Sequence, residues 1–318
     1  MVQQQSARAE DFWWAEPATQ QKLLTDPIGV LKEMGINVPA NVPIPVAQEV
    51  VRLNSLLWLD GQVISRDQFK IDPADEGLLF GRGVWESTRV IGGLPWLWSM
   101  HIERLKKTAE LLRIEVEPER LPDSMAVSEF VRSLTKMDVV IRLNLTAGRP
   151  GKKGIVWMTA ALPPAPLHGV RLQTRTLPME KGHPYLLWKT FQYATRLEVG
   201  QQSMREGFDT CLLVDEQDNL LEAAHANLFV RLQDGWATPL ADGGLLPGTV
   251  RRQLLERSPL PIREMKIPRA FLGEVTEAFV TNSNVGIVPV TQIDDRSFPL
   301  GAETQQLQQW LRPAPAQS

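Results

Sequence analysis

LLWKTFQYATRLEVG, residues 186–200, sets one lysine, Lys189, among apolar and aromatic neighbours. Taking an ammonium out of water costs several kcal/mol unless it loses its proton or finds a partner. Lys106, Lys107, Lys152 and Lys153 lie in charged or glycine-rich stretches that read as solvated. Two readings of Lys189 are open. A snorkelling lysine packs its stem and keeps its head at the surface. A desolvated lysine has a depressed pKa and a nucleophilic amine, as condensation with an aldehyde requires.

Outward from this stretch the pattern is one of short strands. GVRLQTRTL precedes it, and DTCLLVD, NLLEAAHANLFVRL, GWATP and EVTEAFVTN follow, each reading as a strand. In GGLLPGTVRRQLLER, Pro247-Gly248 stands where a helix opens. Upstream of the proline run Leu162-Pro163-Pro164-Ala165-Pro166 lies a second set of elements. LLWLDGQVI predicts a hairpin turning at Asp60-Gly61, and another turns at Gly92-Gly93. SMHIERLKKTAELLRI predicts a helix capped by Ser99, with Ile102, Leu105, Ala109 and Leu112 on one face. A second helix from Leu121 to Leu134 and the strand DVVIRLNLTAG complete this unit. The chain is therefore expected to be α/β. Residues 54–162 form a small domain, 163–169 a linker, 170–310 a larger domain and 311–318 a disordered tail.

Composition fits two domains, since single cores stop growing around 250–300 residues and the chain has 318. A net charge of -3 points to neither nucleic acid nor an anionic membrane, and no apolar run is long enough to span a bilayer. The single cysteine, Cys211, excludes a disulfide within the chain and suits a reducing compartment, so a cytoplasmic location is expected. The four histidines show no metal-ligand spacing.

Residues 1–53 differ from the rest. Gln20 to Met34 predicts two short helices, the second starting at Pro27 with Asp26 as its cap, before the extended connector GINVPANVPIPV. LLTDPIGVLKEMGINVPANVPIPV resembles nitrile-hydratase-type leader segments, which share a DP, a helix and a GI-x-x-P. That resemblance implies a docking segment able to recruit a peptide or protein partner. A helical N-terminal extension packed on the core is the other reading.

IDPADEGLLFGRGVWESTRVIGGLPWLWSMHIERL resembles the N-terminal signature of the class IV, fold type IV, pyridoxal-phosphate enzymes. These are the D-amino acid and branched-chain aminotransferases and aminodeoxychorismate lyase. The likeness continues through Lys189, EGFDTCLLVDEQDNLLEAAHANLFV, LLPGTVRRQ and AFVTNSNVGIVPV, covering roughly residues 54–300. It implies a small α/β N-terminal domain and a larger pseudo-barrel C-terminal domain, with pyridoxal 5′-phosphate between them, in a homodimer. Small-molecule amino acids and oxo acids are the implied substrates.

The resemblance also assigns roles. Lys189 falls at the Schiff-base position. Glu222, 33 residues further on, matches the carboxylate that pairs with the pyridine nitrogen, keeping it protonated so that the ring withdraws electrons. Arg104 in HIERL matches the phosphate-binding arginine, whose fork can hold phosphate oxygens bidentately. Gly248 and Thr249, opening a helix, and Ser283 join it as phosphate contacts, and Asn284 beside Ser283 contacts substrate. Tyr193 supplies a phenol to the cofactor's O3′ or packs in the core. Trp85 stands where some members carry an active-site tyrosine. Arg142 in VIRLN matches an arginine near the substrate carboxylate in the branched-chain enzymes. The D-amino acid enzymes carry an arginine at the position of Ala147, for which Arg149 is the available substitute. GRG at Gly81–Gly83 lacks the spaced third glycine of a dinucleotide fingerprint. His101 is expected to be structural.

Three functions compete on this reading. The first is an aminotransferase moving an amino group between an amino acid and a 2-oxo acid. The second is aminodeoxychorismate lyase, releasing pyruvate and 4-aminobenzoate; LTAG and the spacing from Lys189 to Gly207 suit the lyase and D-amino acid branches, whereas Arg142 suits the branched-chain one. The third is a catalytically silent homologue that recruits a partner through residues 1–53.

Overall fold

The computed structural model describes Asp26, Glu49, residues 52–176, Glu180 and residues 182–311. The two expected N-terminal helices, their connector and RPAPAQS lie outside the described residues. In chain order the first elements are β1 (Leu56–Leu59), β2 (Gln62–Ser65), α1 (Glu76–Phe80), β3 (Gly83–Ile91), β4 (Leu94–Pro95), α2 (Trp98–Leu111), α3 (Ser124–Leu134), β5 (Val139–Thr146) and β6 (Val156–Ala161). Their six strands form an antiparallel sheet in the order β2-β1-β6-β5-β3-β4. Both expected hairpin turns are present. Asp60 and Gly61 have φ of 44° and 96°, and Gly92 and Gly93 have 55° and 79°, the double positive pair that a two-residue turn between twisted strands requires.

The helix ends differ from expectation. Helix α2 starts at Trp98 after Leu97, which is left-handed at φ 53°, so Ser99 sits inside the first turn rather than capping it. Burial of Trp98, whose Nε1 donates to the Pro122 carbonyl at 2.9 Å, fixes that start. Helix α3 starts at Ser124, where the Asp123 side chain accepts from the Ala126 amide at 2.8 Å. Leu105 and Ala109 of α2 and Phe130, Val131 and Leu134 of α3 pack with Ile141, Leu143 and Met158 in one core. Leu53, placed in the N-terminal extension by the sequence, belongs to that same core.

The second half contains β7 (Val170–Thr176), α4 (Pro184–Leu187), α5 (Ala194–Arg205), β8 (Thr210–Val214), β9 (Leu220–Ala223), β10 (Ala226–Leu232), β11 (Gly235–Pro239), α6 (Thr249–Arg257), β12 (Ile262–Met265), β13 (Glu277–Asn282), β14 (Gly286–Ile293), β15 (Arg296–Ser297) and α7 (Ala302–Leu311). The strands run β10-β13-β14-β7-β8-β9, and β9 pairs back onto β10, closing a six-stranded ring. Strands β11 and β12 extend from β10, and β15 pairs with β14. This ring is the pseudo-barrel. Its closure depends on a split the sequence reading missed: NLLEAAHANLFVRL is two strands joined by a turn at Ala224-His225. Leu311, assigned to the tail, ends α7 and is buried.

β7 and β8 are parallel, so the chain between them must cross over. That crossover carries Lys189. Its backbone docks on the start of β3: Trp85 N–H donates to Lys189 O at 3.0 Å and Phe191 N–H to Gly83 O at 3.0 Å. A Cβ at Gly83 would lie 2.6 Å from the Phe191 ring, so glycine is what permits this approach. The turn after β13 docks on β3 as well, with Ser283 Oγ donating to Ser87 O at 2.5 Å. Lys189 is thereby held between the two sheets.

Candidate active site

A cleft between the sheets is lined by Arg104, Lys189, Tyr193, Glu222, Gly248, Thr249 and Ser283, among others. They arrive on five different elements or turns. Arg104 projects from α2, Lys189 and Tyr193 from the crossover, Glu222 from β9, Gly248 and Thr249 from the start of α6, and Ser283 from the turn after β13. Of the charged residues on the wall, Arg104, Lys189 and Arg196 are cationic and Glu222 is anionic. That excess of positive charge suits an anionic ligand.

The Lys189 amine lies 3.8 Å from the centre of the Trp85 ring. Desolvation, then Arg104 and Arg142, against the pull of Glu86 and Glu222, lower its pKa from the ordinary lysine value to about 7. Trp85 is itself fixed, its Nε1 donating to Thr190 O at 2.9 Å, and the Arg142 guanidinium also stands 3.8 Å from its ring. Tyr193 donates to Ala224 O at 2.9 Å, lies 3.1 Å from His225 Nδ1 and meets Trp85 edge-on at 5.5 Å. Burial pushes its phenol up to about 12.

Glu222 and Asn227 are cross-strand partners in the β9–β10 hairpin. Asn227 Nδ2 donates to Glu222 Oε2 at 3.0 Å, the Leu246 amide to Oε1 at 2.8 Å, and Arg196 on α5 pairs with Oε1 at 2.7 Å. Burial raises the carboxyl's pKa against the opposing pull of Arg196, the Leu246 amide and Lys189. Arg196 was not singled out from the sequence. A buried carboxylate needs a counterion, and Arg196 stands seven residues past Lys189 in the first turn of α5, yet nothing local marks it.

The phosphate-binding candidates converge at the other end. Gly248 caps α6 in an extended conformation, and a Cβ on it would lie 2.1 Å from Asn227 Oδ1. Arg104 is held by a partner the sequence reading passed over. Its Nε and Nη2 donate to the two oxygens of Glu86 at 2.7 Å each, and its Nη1 to Pro247 O at 2.9 Å. Three of five guanidinium hydrogens are thus used and two remain. Burial would raise the Glu86 carboxyl, but Arg104 and His101 win and hold it at about 2.

Four candidates stand off the cleft wall. Trp85 lies behind the amine, and Arg142 is exposed with Nε on Asn144 Oδ1 at 2.9 Å. Asn284 accepts from Ser87 Oγ at 2.9 Å and lines a separate groove beside Trp96 and Pro164. Arg149 is exposed and pairs with Asp72 at 2.9 Å.

An amine near neutrality, a buried carboxylate, and an arginine beside a glycine-capped helix start are the donor set that pyridoxal phosphate requires, so the residues fit this cofactor. Gly248 lines the cleft at the α6 start, where a Cβ would collide with Asn227 Oδ1. Among known proteins, the model for the family "Amino-transferase class IV" matches residues 83–293. The chain is similar to aminodeoxychorismate lyase of Bacillus subtilis (strain 168): 28% identical over 271 residues, spanning 76% of this chain and 88% of that protein. Its fold is similar to that of a fold IV transaminase from Curtobacterium pusillum, with TM-score 0.73 and 22% identity over 80% of this chain and 98% of the other. It is likewise similar to the branched-chain amino acid aminotransferase from Escherichia coli, with TM-score 0.71 and 21% identity over 80% and 92%. The family's match begins at the first residue of β3, ends at the last of β14 and spans Lys189, Glu222, Arg104 and α6. The chain therefore belongs to the class IV aminotransferases, enzymes of fold type IV that depend on pyridoxal phosphate.

Proposed function

We propose that the protein is an aminotransferase moving an amino group between an amino acid and a 2-oxo acid. The observation that carries this is the Lys189 amine, lowered to about 7 in the cleft that also holds Glu222 and Arg104. Pyridoxal phosphate, when bound, supplies an aldehyde carbon and an electron-withdrawing ring. The chain's residues do the rest. Lys189 holds the cofactor and, once freed as an uncharged amine, takes the proton from the substrate's Cα. Glu222, kept in place by Arg196, Asn227 and the Leu246 amide, holds the proton at the ring nitrogen. The two free Arg104 hydrogens, the α6 amides, Thr249 and Ser283 hold the phosphate. Tyr193 lines the same cleft, and its hydroxyl, now on Ala224 O and beside His225, would be the phenol offered to the cofactor's O3′. Off the cleft wall, Arg142, stacked on the Trp85 ring with both Nη groups unused by Asn144, is the group offered to a substrate carboxylate.

A homodimer fits the apolar residues Leu78, Leu79 and Phe80, which α1 leaves exposed beside the crossover. A cytoplasmic setting fits the lone buried thiol of Cys211. No helix among the described residues is long and apolar enough to cross a membrane. The leader-like residues 1–53 recruit a partner or pack on the chain, and comparing turnover with and without them separates the two.

The second reading is aminodeoxychorismate lyase, which the 28% identity to the B. subtilis lyase favours. One experiment separates them. The reconstituted protein is offered aminodeoxychorismate and, separately, a panel of amino acids with 2-oxoglutarate. Keto-acid formation supports the aminotransferase; aminobenzoate formation with every amino donor inert replaces it with the lyase.

A further inference from the structure

Behind Thr249 of the phosphate cradle stand two buried groups, Glu86 and His101, that the reading above leaves without a role. Glu86 on β3 accepts from Arg104 and also from His101, one turn earlier on α2, whose Nδ1 lies 2.7 Å from Oε2. On its other side, His101 Nε2 lies 3.2 Å from Thr249 Oγ1, at the first residue of α6. Glu86, His101 and Thr249 are all buried. The groups facing the imidazole are Glu86 from β3, Arg104 from its own helix, Lys189 from the crossover and Thr249 from α6, with Trp98 flanking the ring at 6.5 Å.

An ionised carboxylate only accepts, so His101 Nδ1 carries a hydrogen. The state of Nε2 then decides what Thr249 can do. With Nε2 bare, the threonine gives its one hydroxyl hydrogen to His101 and turns lone pairs toward the cleft, an arrangement that repels phosphate oxygens. With Nε2 protonated, His101 donates to Oγ1 and the hydroxyl hydrogen is released to a phosphate oxygen. Burial lowers the His101 pKa, so the first arrangement belongs to the free protein. A dianion at the α6 start favours the second.

We propose that His101 is a positioning residue of the phosphate cradle, and that a phosphate dianion seated against Thr249 brings one proton onto His101 Nε2. The inference rests on the cofactor reading above. The proton comes from solvent: an N–H bond forms at Nε2, an O–H bond of the hydrated proton breaks, and nothing is oxidised or reduced. The imidazolium so formed remains paired with Glu86, which then neutralises both His101 and Arg104 in part.

Sulfate is the probe, because it stays dianionic across the neutral range and any proton taken up belongs to the protein. The full chain without cofactor, carrying Lys189→Ala so that this amine does not titrate, is titrated calorimetrically with sulfate in buffers of different ionisation heat. The expected result is uptake of about one proton per sulfate, with affinity falling about tenfold per pH unit above neutrality. His101→Gln is expected to abolish both while sulfate still binds. A direct reading needs no change at His101. With His168, His183 and His225 replaced by Gln, it is the last of the four histidines, and its ¹⁵N spectrum reports whether Nε2 gains a hydrogen. A ring left bare at Nε2 with sulfate bound, or proton uptake that survives His101→Gln, overturns the inference and spares the cofactor reading. Sulfate that fails to bind, or that binds equally well after Arg104→Met, overturns the cradle and the inference together.

Discussion

At the scale of single residues, the proposed chemistry rests on Lys189, and its pKa makes a measurable statement. An amine lowered to about 7 is half uncharged at pH 7. A step that needs the free amine should therefore quicken about tenfold per pH unit below 7 and level off above it. Lys189→Arg keeps the cation but cannot shed its proton; turnover is expected to fall by roughly 10²–10⁴. The cofactor's visible absorbance in the reconstituted protein should change with it, and an unaltered spectrum and rate would remove Lys189 from the mechanism. Glu86 makes a second statement, about stability. Its folded pKa of about 2 lies below the ordinary carboxyl value, so its contribution is present above that value and is lost as pH falls toward 2. Glu86→Gln leaves Arg104 and His101 without their carboxylate and should cost about 3–5 kcal/mol in urea unfolding at pH 7. The difference between the two proteins should shrink steadily from pH 4.5 to 2. Lys189 drew notice because a lysine among Leu, Trp and Phe contradicts its own hydration, but those neighbours left a snorkelling side chain open and the family resemblance supplied its role. Glu86 was not, because a glutamate in a strand looks the same whether it faces water or an arginine 18 residues away.

Elements carry the geometry through close approaches. The α6 start, the β9–β10 hairpin and Glu222 meet at Asn227, which donates to Glu222 and to Leu246 O while its Oδ1 faces Gly248. Gly248→Ala would set a Cβ 2.1 Å from that oxygen, so Asn227 must move and loosen Glu222. The expected cost is about 1–3 kcal/mol, read as a lower urea midpoint, together with weaker cofactor retention on dialysis. Retention equal to that of the unaltered protein would mean that the α6 start does not hold the phosphate. Turns rich in glycine were readable in advance, since Asp60-Gly61 and Gly92-Gly93 meet the demand for positive φ with the usual residues. The turn at Ala224-His225 carries no such mark. Nothing between Glu222 and Asn227 distinguishes a bend from a straight strand, so the residue pattern hid the turn that closes the ring, and the pseudo-barrel was expected through the family resemblance alone. The start of α2 was misjudged similarly. Ser99 is a good local cap, but burial of Trp98 outweighs a capping bond worth about 1 kcal/mol.

For the whole molecule, the block order along the chain told more than any single motif: Arg104, Lys189, Glu222 and Thr249 lie far apart in sequence and meet only because two sheets face one cleft. What one chain leaves uncovered bears on its assembly. Helix α1 is only five residues long, capped by the Asp75 side chain on the Gly77 amide at 2.7 Å and ended by left-handed Gly81. This short, well-fixed turn presents Leu78, Leu79 and Phe80 at 56%, 55% and 63% exposure. Burying the exposed half or more of three consecutive apolar side chains on a fixed helix would stabilise by roughly 1–2 kcal/mol each, so a covering surface is favoured. The Phe80 carbonyl also accepts from Gln192 at 3.1 Å, three residues past Lys189, so whatever covers α1 braces the lysine's own segment. A second copy of the chain is the expected cover. Leu79→Glu with Phe80→Ser removes little from the single chain's core, and its melting transition measured at low concentration should barely move. Sedimentation should then show the unaltered protein as a dimer and the variant as a monomer, with turnover reduced in the monomer because the Lys189 segment has lost its brace. An unaltered protein that sediments as a monomer at the concentrations of the assay would leave these three side chains without a partner and withdraw the dimer.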